Sequence, residues 1–148
     1  MTWQDWLMQG NVERRAPDAN ELQDLLKAAR RQIEDANVPG LSAEARFQLA
    51  YTGVLALATA VIRAAGYRLR SGEGHHRRSF EAASLAIGPE ARNFTDFFEL
   101  CRRKRNVISY EGSEASEAEA TDLLENAASF ETLVARHVGR QRPGSRRV

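Results

Sequence analysis

Between Arg46 and Arg63 the chain carries no charged residue. Within that stretch Phe47, Ala50, Tyr51, Val54, Leu57, Ala58 and Val61 recur at helical spacing, and Ala65 extends the series. A helix this apolar must be covered on most of its circumference, so the rest of the chain is expected to pack around it. The stretch also holds Gln48, Tyr51, Thr52 and Thr59. Its uncharged length falls short of the about 20 apolar residues that a membrane span needs. The expectation is a central core helix, no membrane partner, and a cytoplasmic location.

Helical spacing dominates elsewhere too, and no segment alternates in the manner of a strand. A short amphipathic piece opens the chain around Trp3, Trp6 and Leu7. After Pro17, with Asp18 or Asn20 as N-cap, comes a helix with Leu22, Leu25, Leu26, Ala29 and Ile33 on one face. Asn37, Pro39 and Gly40 end it. Ser42 caps the uncharged helix and Gly66 suits a left-handed C-terminal cap. A basic connector with Arg68, Arg70, Gly72 and Gly74 leads to a shorter helix, His75 to Ile87, with Phe80, Ala83, Leu85 and Ile87 turned inward. Gly88-Pro89 breaks the chain. A long helix is then predicted over 89–109, and a last one carries Leu123, Leu124, Ala127, Phe130, Leu133, Val134 and Val138. The fold class is all-α: an antiparallel up-down four-helix bundle with an additional short helix. Residues 1–139 read as one helical-bundle domain and 140–148 as a basic, disordered tail.

Composition narrows the function. Net charge is +1, so any attraction to nucleic acid must come from local clustering. The single cysteine, Cys101, excludes an internal disulfide and sits on an apolar stripe, where a structural role is expected. The N-terminus has neither a basic start nor an apolar run, so no signal peptide is expected. No cofactor is expected: there is no glycine-rich phosphate loop preceded by a strand, and no inward carboxylate set of the di-iron kind. No metal site is expected either. His75 and His76 are adjacent and point about 100° apart on a helix, with Ser79 and Phe80 at the i+4 positions.

One residue breaks the pattern. On the helix over 89–109, Phe94, Phe97, Phe98, Cys101 and Ile108 fall within a narrow arc, and Arg105 projects into the middle of it. A guanidinium on a buried face is costly unless paired or led to solvent. Arg105 is therefore either a structural arginine paired with Glu99, Glu111 or Asp122, or part of a site. Asn106 and Tyr110, four residues apart, share a neighbouring face, and Arg102, Arg103 and Lys104 precede them. The Arg/Lys run is a solvated helix face or a set of phosphate contacts.

The segment Arg105-Asn106-Val107-Ile108-Ser109-Tyr110 resembles the signature of HEPN domains. In these small helical bundles an arginine, often followed by asparagine, precedes a histidine by four to six residues on a late helix. The long uncharged helix, the Gly66-Tyr67 turn and the Gly74-His75-His76 helix start extend the likeness over roughly residues 40 to 138. The resemblance implies RNA or nucleotide binding, and in many members metal-independent RNA cleavage in toxin–antitoxin or defence systems. It also implies a homodimer with a composite cleft and, in some members, a small nucleotidyltransferase as antitoxin. On this likeness Arg105, Asn106 and Tyr110 take the catalytic positions, and Arg102, Arg103 and Lys104 contact RNA. Tyr110 stands where the histidine is expected, and a phenol with a pKa near 10 is a weak base. Weakened cleavage is the expected consequence. Two alternatives stand beside this one. The chain is a non-catalytic dimeric helical interaction module, or its arginine-rich tail binds nucleic acid in a salt-sensitive manner.

Overall fold

A computed structural model describes residues 2–70, 75–112 and 114–141. The element order is α1 (Trp3–Met8), β1 (Val12–Arg14), α2 (Ala19–Ala36), α3 (Ala43–Ala64), β2 (Tyr67–Leu69), α4 (His75–Ile87), a single 3₁₀ turn (Pro89–Ala91), α5 (Arg92–Glu111) and α6 (Glu117–Gln141). The protein is mainly helical, as its periodicity requires.

The starts of the helices follow from local chemistry. Asp18 caps α2 by accepting from the backbone N–H of Asn20 at 2.9 Å, and Ser42 caps α3 by accepting from Ala45 at 3.0 Å. At α6, Ser116 and Glu119 cap each other's backbone N–H groups at 3.0 and 2.9 Å. Gly66 takes φ +94° just past the end of α3, a value that a side chain would resist.

Helix α3, which contains the uncharged stretch, is the centre of the molecule, touched by α2, α4, α5 and α6. Phe47, Ala50, Tyr51, Val54, Leu57, Ala58 and Val61 are all buried. α2 and α3 run antiparallel and close together: a Cβ on Gly53 would stand 3.0 Å from Ile33 Cγ1. α5 and α6 are likewise antiparallel, with Lys104 near Glu119 at one end and Phe94 against Phe130 (5.5 Å between centroids) further along. Aromatic rings fill the middle: Tyr51 meets Phe80 edge-on, Phe80 meets Phe98, and Phe98 meets Phe130.

At 22 residues, α3 is longer than its uncharged stretch, and by length and composition alone it is sufficient to cross a membrane. That corrects the length argument made from the sequence. More than half of its most apolar window, 56%, is buried against the rest of the chain.

The sequence showed no strand, yet there is a small sheet. β1 pairs antiparallel with β2, with Val12 opposite Leu69 and Arg14 opposite Tyr67. Glu13 and Arg68, also opposite, form an ion pair at 2.7 Å. This ribbon and α1 build a second, smaller core of Trp6, Val12, Ile62 and Ala82, with Trp3 stacked on Tyr67 at 4.2 Å. The connector expected around Arg68 is thus partly a strand. Its residues 71–74 lie outside the described residues, as does 142–148 of the predicted tail. The backbone of α6 continues to Gln141 and so takes in the first two residues of that predicted tail.

Candidate functional site on helix α5

The helix predicted over 89–109 begins with the 3₁₀ turn and continues as α5 to Glu111. Phe98, Cys101 and Ile108 on its inner stripe are buried. Arg105 lies on the same stripe and is half-buried. Its guanidinium rests over the ring of Tyr51 from α3, with 5.5 Å between Cζ and the ring centroid. Among the described residues Arg105 makes no hydrogen bond or ion pair. The acids considered as its partners are elsewhere or outside view. Glu99 belongs to Arg102, and the side chain of Glu111 lies outside the described residues.

Tyr51 is 1% exposed. Burial pushes its phenol well above the ordinary value. The charges of Arg105 and Arg102 oppose that shift, and Glu99 reinforces it. Two guanidinium groups and a carboxylate therefore act on one neutral phenol.

The basic run before Arg105 is more occupied than its sequence suggests. Arg102 grips Glu99 in a two-pronged contact, Nε to Oε1 at 2.9 Å and Nη2 to Oε2 at 2.8 Å. That hydrogen bond holds the Arg102 pKa above its usual value. Arg103, 67% exposed, approaches the same carboxylate at 3.8 Å. Lys104 reaches Glu119 at 3.4 Å, and Glu119 is already fixed in the cap of α6. The backbone N–H of Ser116 is the main reason that the Glu119 carboxyl lies below its ordinary range. Asn106 is half-buried, and its amide has no hydrogen-bond partner among the described residues. Tyr110 belongs to the last turn of α5, but its side chain lies outside the described residues, as do those of His75 and His76.

Cys101 is buried, and desolvation, with Glu119 and Asp122 nearby, pushes its thiol up to about 12. A thiol held protonated in this way is a poor nucleophile. Among the described residues no three His, Cys, Asp or Glu side chains converge as metal ligands.

Three features were not read from the sequence. The first is Tyr51 as the support of Arg105. Its place on the apolar stripe was legible, but its partner on another helix was not. The second is a cleft of about 550 Å³ between α4 and α5, with Trp6, Phe80 and Leu85 beside Arg92, Asp96, Glu99 and Arg103. The third is a pit of about 120 Å³ on the other flank of α5, lined by Phe47, Phe97, Leu100, Cys101, Lys104, Glu119 and Asp122. Leu100 there is 59% exposed.

No family model, curated protein or solved structure matches the chain.

Proposed function

We propose that the protein is a HEPN-like, RNA- or nucleotide-binding helical bundle in which Arg105 receives a phosphate oxygen. One observation carries this reading. A guanidinium on the inner stripe of α5 has an aromatic ring beneath it and no acid beside it among the described residues. Its N–H edge is free to fork onto a phosphate. Asn106, whose amide has no partner among the described residues, is a second donor one residue away. Tyr110 stands in place of the motif histidine and, as a weak base, supports slow cleavage at most. Arg103 is the most available of the three preceding cations, because Arg102 and Lys104 are held by Glu99 and Glu119.

The wider reading follows the resemblance: a cytoplasmic homodimer in a toxin–antitoxin or defence setting, with a small nucleotidyltransferase as the candidate antitoxin. The finer architecture is part of the same proposal. The antiparallel pairs α2–α3 and α5–α6 support an up-down four-helix bundle, with α4 inserted between them. The test is incubation of the protein with total RNA in the absence of metal, beside Arg105→Ala. Faster RNA loss with the wild type is expected, and identical traces from both would remove the ribonuclease reading.

A second reading is a non-catalytic dimeric interaction module, favoured by the exposed Leu100 beside its apolar pit. Arg105→Ala should leave such a module's RNA behaviour at background while Leu100→Ser changes its mass in light scattering. A third reading, RNA held by the arginine tail, is tested by deleting residues 140–148. Binding that survives the deletion removes it.

A further inference from the structure

We infer that Tyr51 is a positioning residue for the anion site: its ring face is the seat that holds the Arg105 guanidinium in a binding-ready orientation. The inference rests on the phosphate-binding reading of Arg105 and deepens it.

An arginine on an apolar stripe has three ways to settle. It can find an acid, reach carbonyl oxygens, or lie on an aromatic face. Arg105 has only the third among the described residues. An ion pair would occupy the N–H edge that an oxyanion needs. A ring face holds the cation by its π-electrons and leaves that edge open. Phe98 and Cys101 lie earlier on the same stripe and Ile108 later, all three buried, and the Tyr51 ring is the aromatic face on which the guanidinium rests.

The seat is itself fixed. Tyr51 is 1% exposed on the central helix, and its ring meets Phe80 edge-on at 6.1 Å. Phe80 is packed in turn against Phe98 of α5, with centroids 5.7 Å apart. The ring that carries Arg105 is thus locked by the same aromatic chain that sets the position of α5. The Glu99–Arg102 fork occupies the Glu99 carboxylate, one of the acids considered as partners of Arg105. A guanidinium held before the ligand arrives loses less side-chain freedom on binding.

The experiment measures binding of a short fluorescein-labelled single-stranded RNA by anisotropy at low salt, at a temperature where circular dichroism shows every variant folded. Tyr51→Phe keeps the ring and should bind within about twofold of wild type, since cation–π attraction does not need the hydroxyl. Tyr51→Met fills the space without a ring face and should weaken binding about tenfold, the size of a desolvated cation–π contact. On an Arg105→Ala background, Tyr51→Met should cause no further loss, because the ring acts through the arginine. Full binding by Tyr51→Met, or losses that simply add, would overturn the inference.

The wild-type protein carries a test that needs no variant to fold. In NMR spectra the Arg105 side-chain protons should be shifted upfield by the ring current and should move when RNA is added. Ordinary arginine shifts would equally overturn the inference. Wild-type affinity in Arg105→Ala is a different outcome: it removes the phosphate-binding reading itself.

Discussion

Arg63 on α3 and Arg105 on α5 settle in opposite ways. Arg63, at the end of α3, is 2% exposed. Its five N–H groups are all used: Nε and Nη2 donate to Glu21 at 2.8 and 3.1 Å, Nη1 to the carbonyls of Arg15 and Tyr67, and Nη2 also to that of Ala16. Glu21 is at the same time part of the cap of α2. This group binds the start of α2, the end of α3 and the approach to β2 into one knot. Arg105 has a ring face and, among the described residues, nothing else. A completed donor set is the mark of a residue that holds the fold. An incomplete one on an apolar stripe is what the proposed phosphate site requires.

Loss of Arg63 should do the most damage. Arg63→Met should cost about 3–5 kcal/mol, because it leaves a carboxylate and three carbonyls without their donor. Thermal denaturation followed by circular dichroism reads the loss. A small change would mean that the knot is dispensable and the contrast with Arg105 is false. Acid probes the same knot. Arg63 holds the Glu21 carboxyl below its ordinary value of 4.5, so this contribution is present above that pH and is lost as pH falls through the depressed value. The wild type should lose stability below about pH 4.5, and Arg63→Met should show a shallower fall over the same window.

Arg105→Met is the mirror experiment. It should keep stability within about 1 kcal/mol of wild type or raise it, since an unpaired guanidinium is exchanged for an apolar side chain on an apolar stripe. A loss as large as that of Arg63→Met would place Arg105 among the fold's own supports. The smallest effect is expected on the outer flank of α5. Leu100→Ser should change stability by less than about 0.5 kcal/mol, as for an exposed residue. Sedimentation then tells whether that side chain is an interface: an unchanged mass at all concentrations removes it from any dimer contact.

The helical frame was legible because helical spacing and capping residues are local. Asp18, Ser42, Gly66 and Pro89 mark boundaries within a turn or so of where they fall. The buried stripes of α3 and α6 follow residue by residue. β1 and β2 were not legible. Three-residue strands carry no period to read, and their partners lie on opposite sides of two long helices in the chain. The break at Arg105 was visible because a cation stood among phenylalanines. Its resolution was not, since nothing in the spacing of α5 says which face of α3 it meets. Arg63 escaped notice for a related reason. At the end of an apolar run a charge reads as the return to solvent, and only the approach of residues 15–21 turns it into an interior group.

Both tryptophans, Trp3 and Trp6, belong to α1 and to the small core beside the ribbon. Intrinsic fluorescence is therefore a local lamp, lighting the N-terminal clasp, while ellipticity reports the helices as a whole. Any denaturant in which the two signals part company measures how loosely that clasp is fastened to the body it closes.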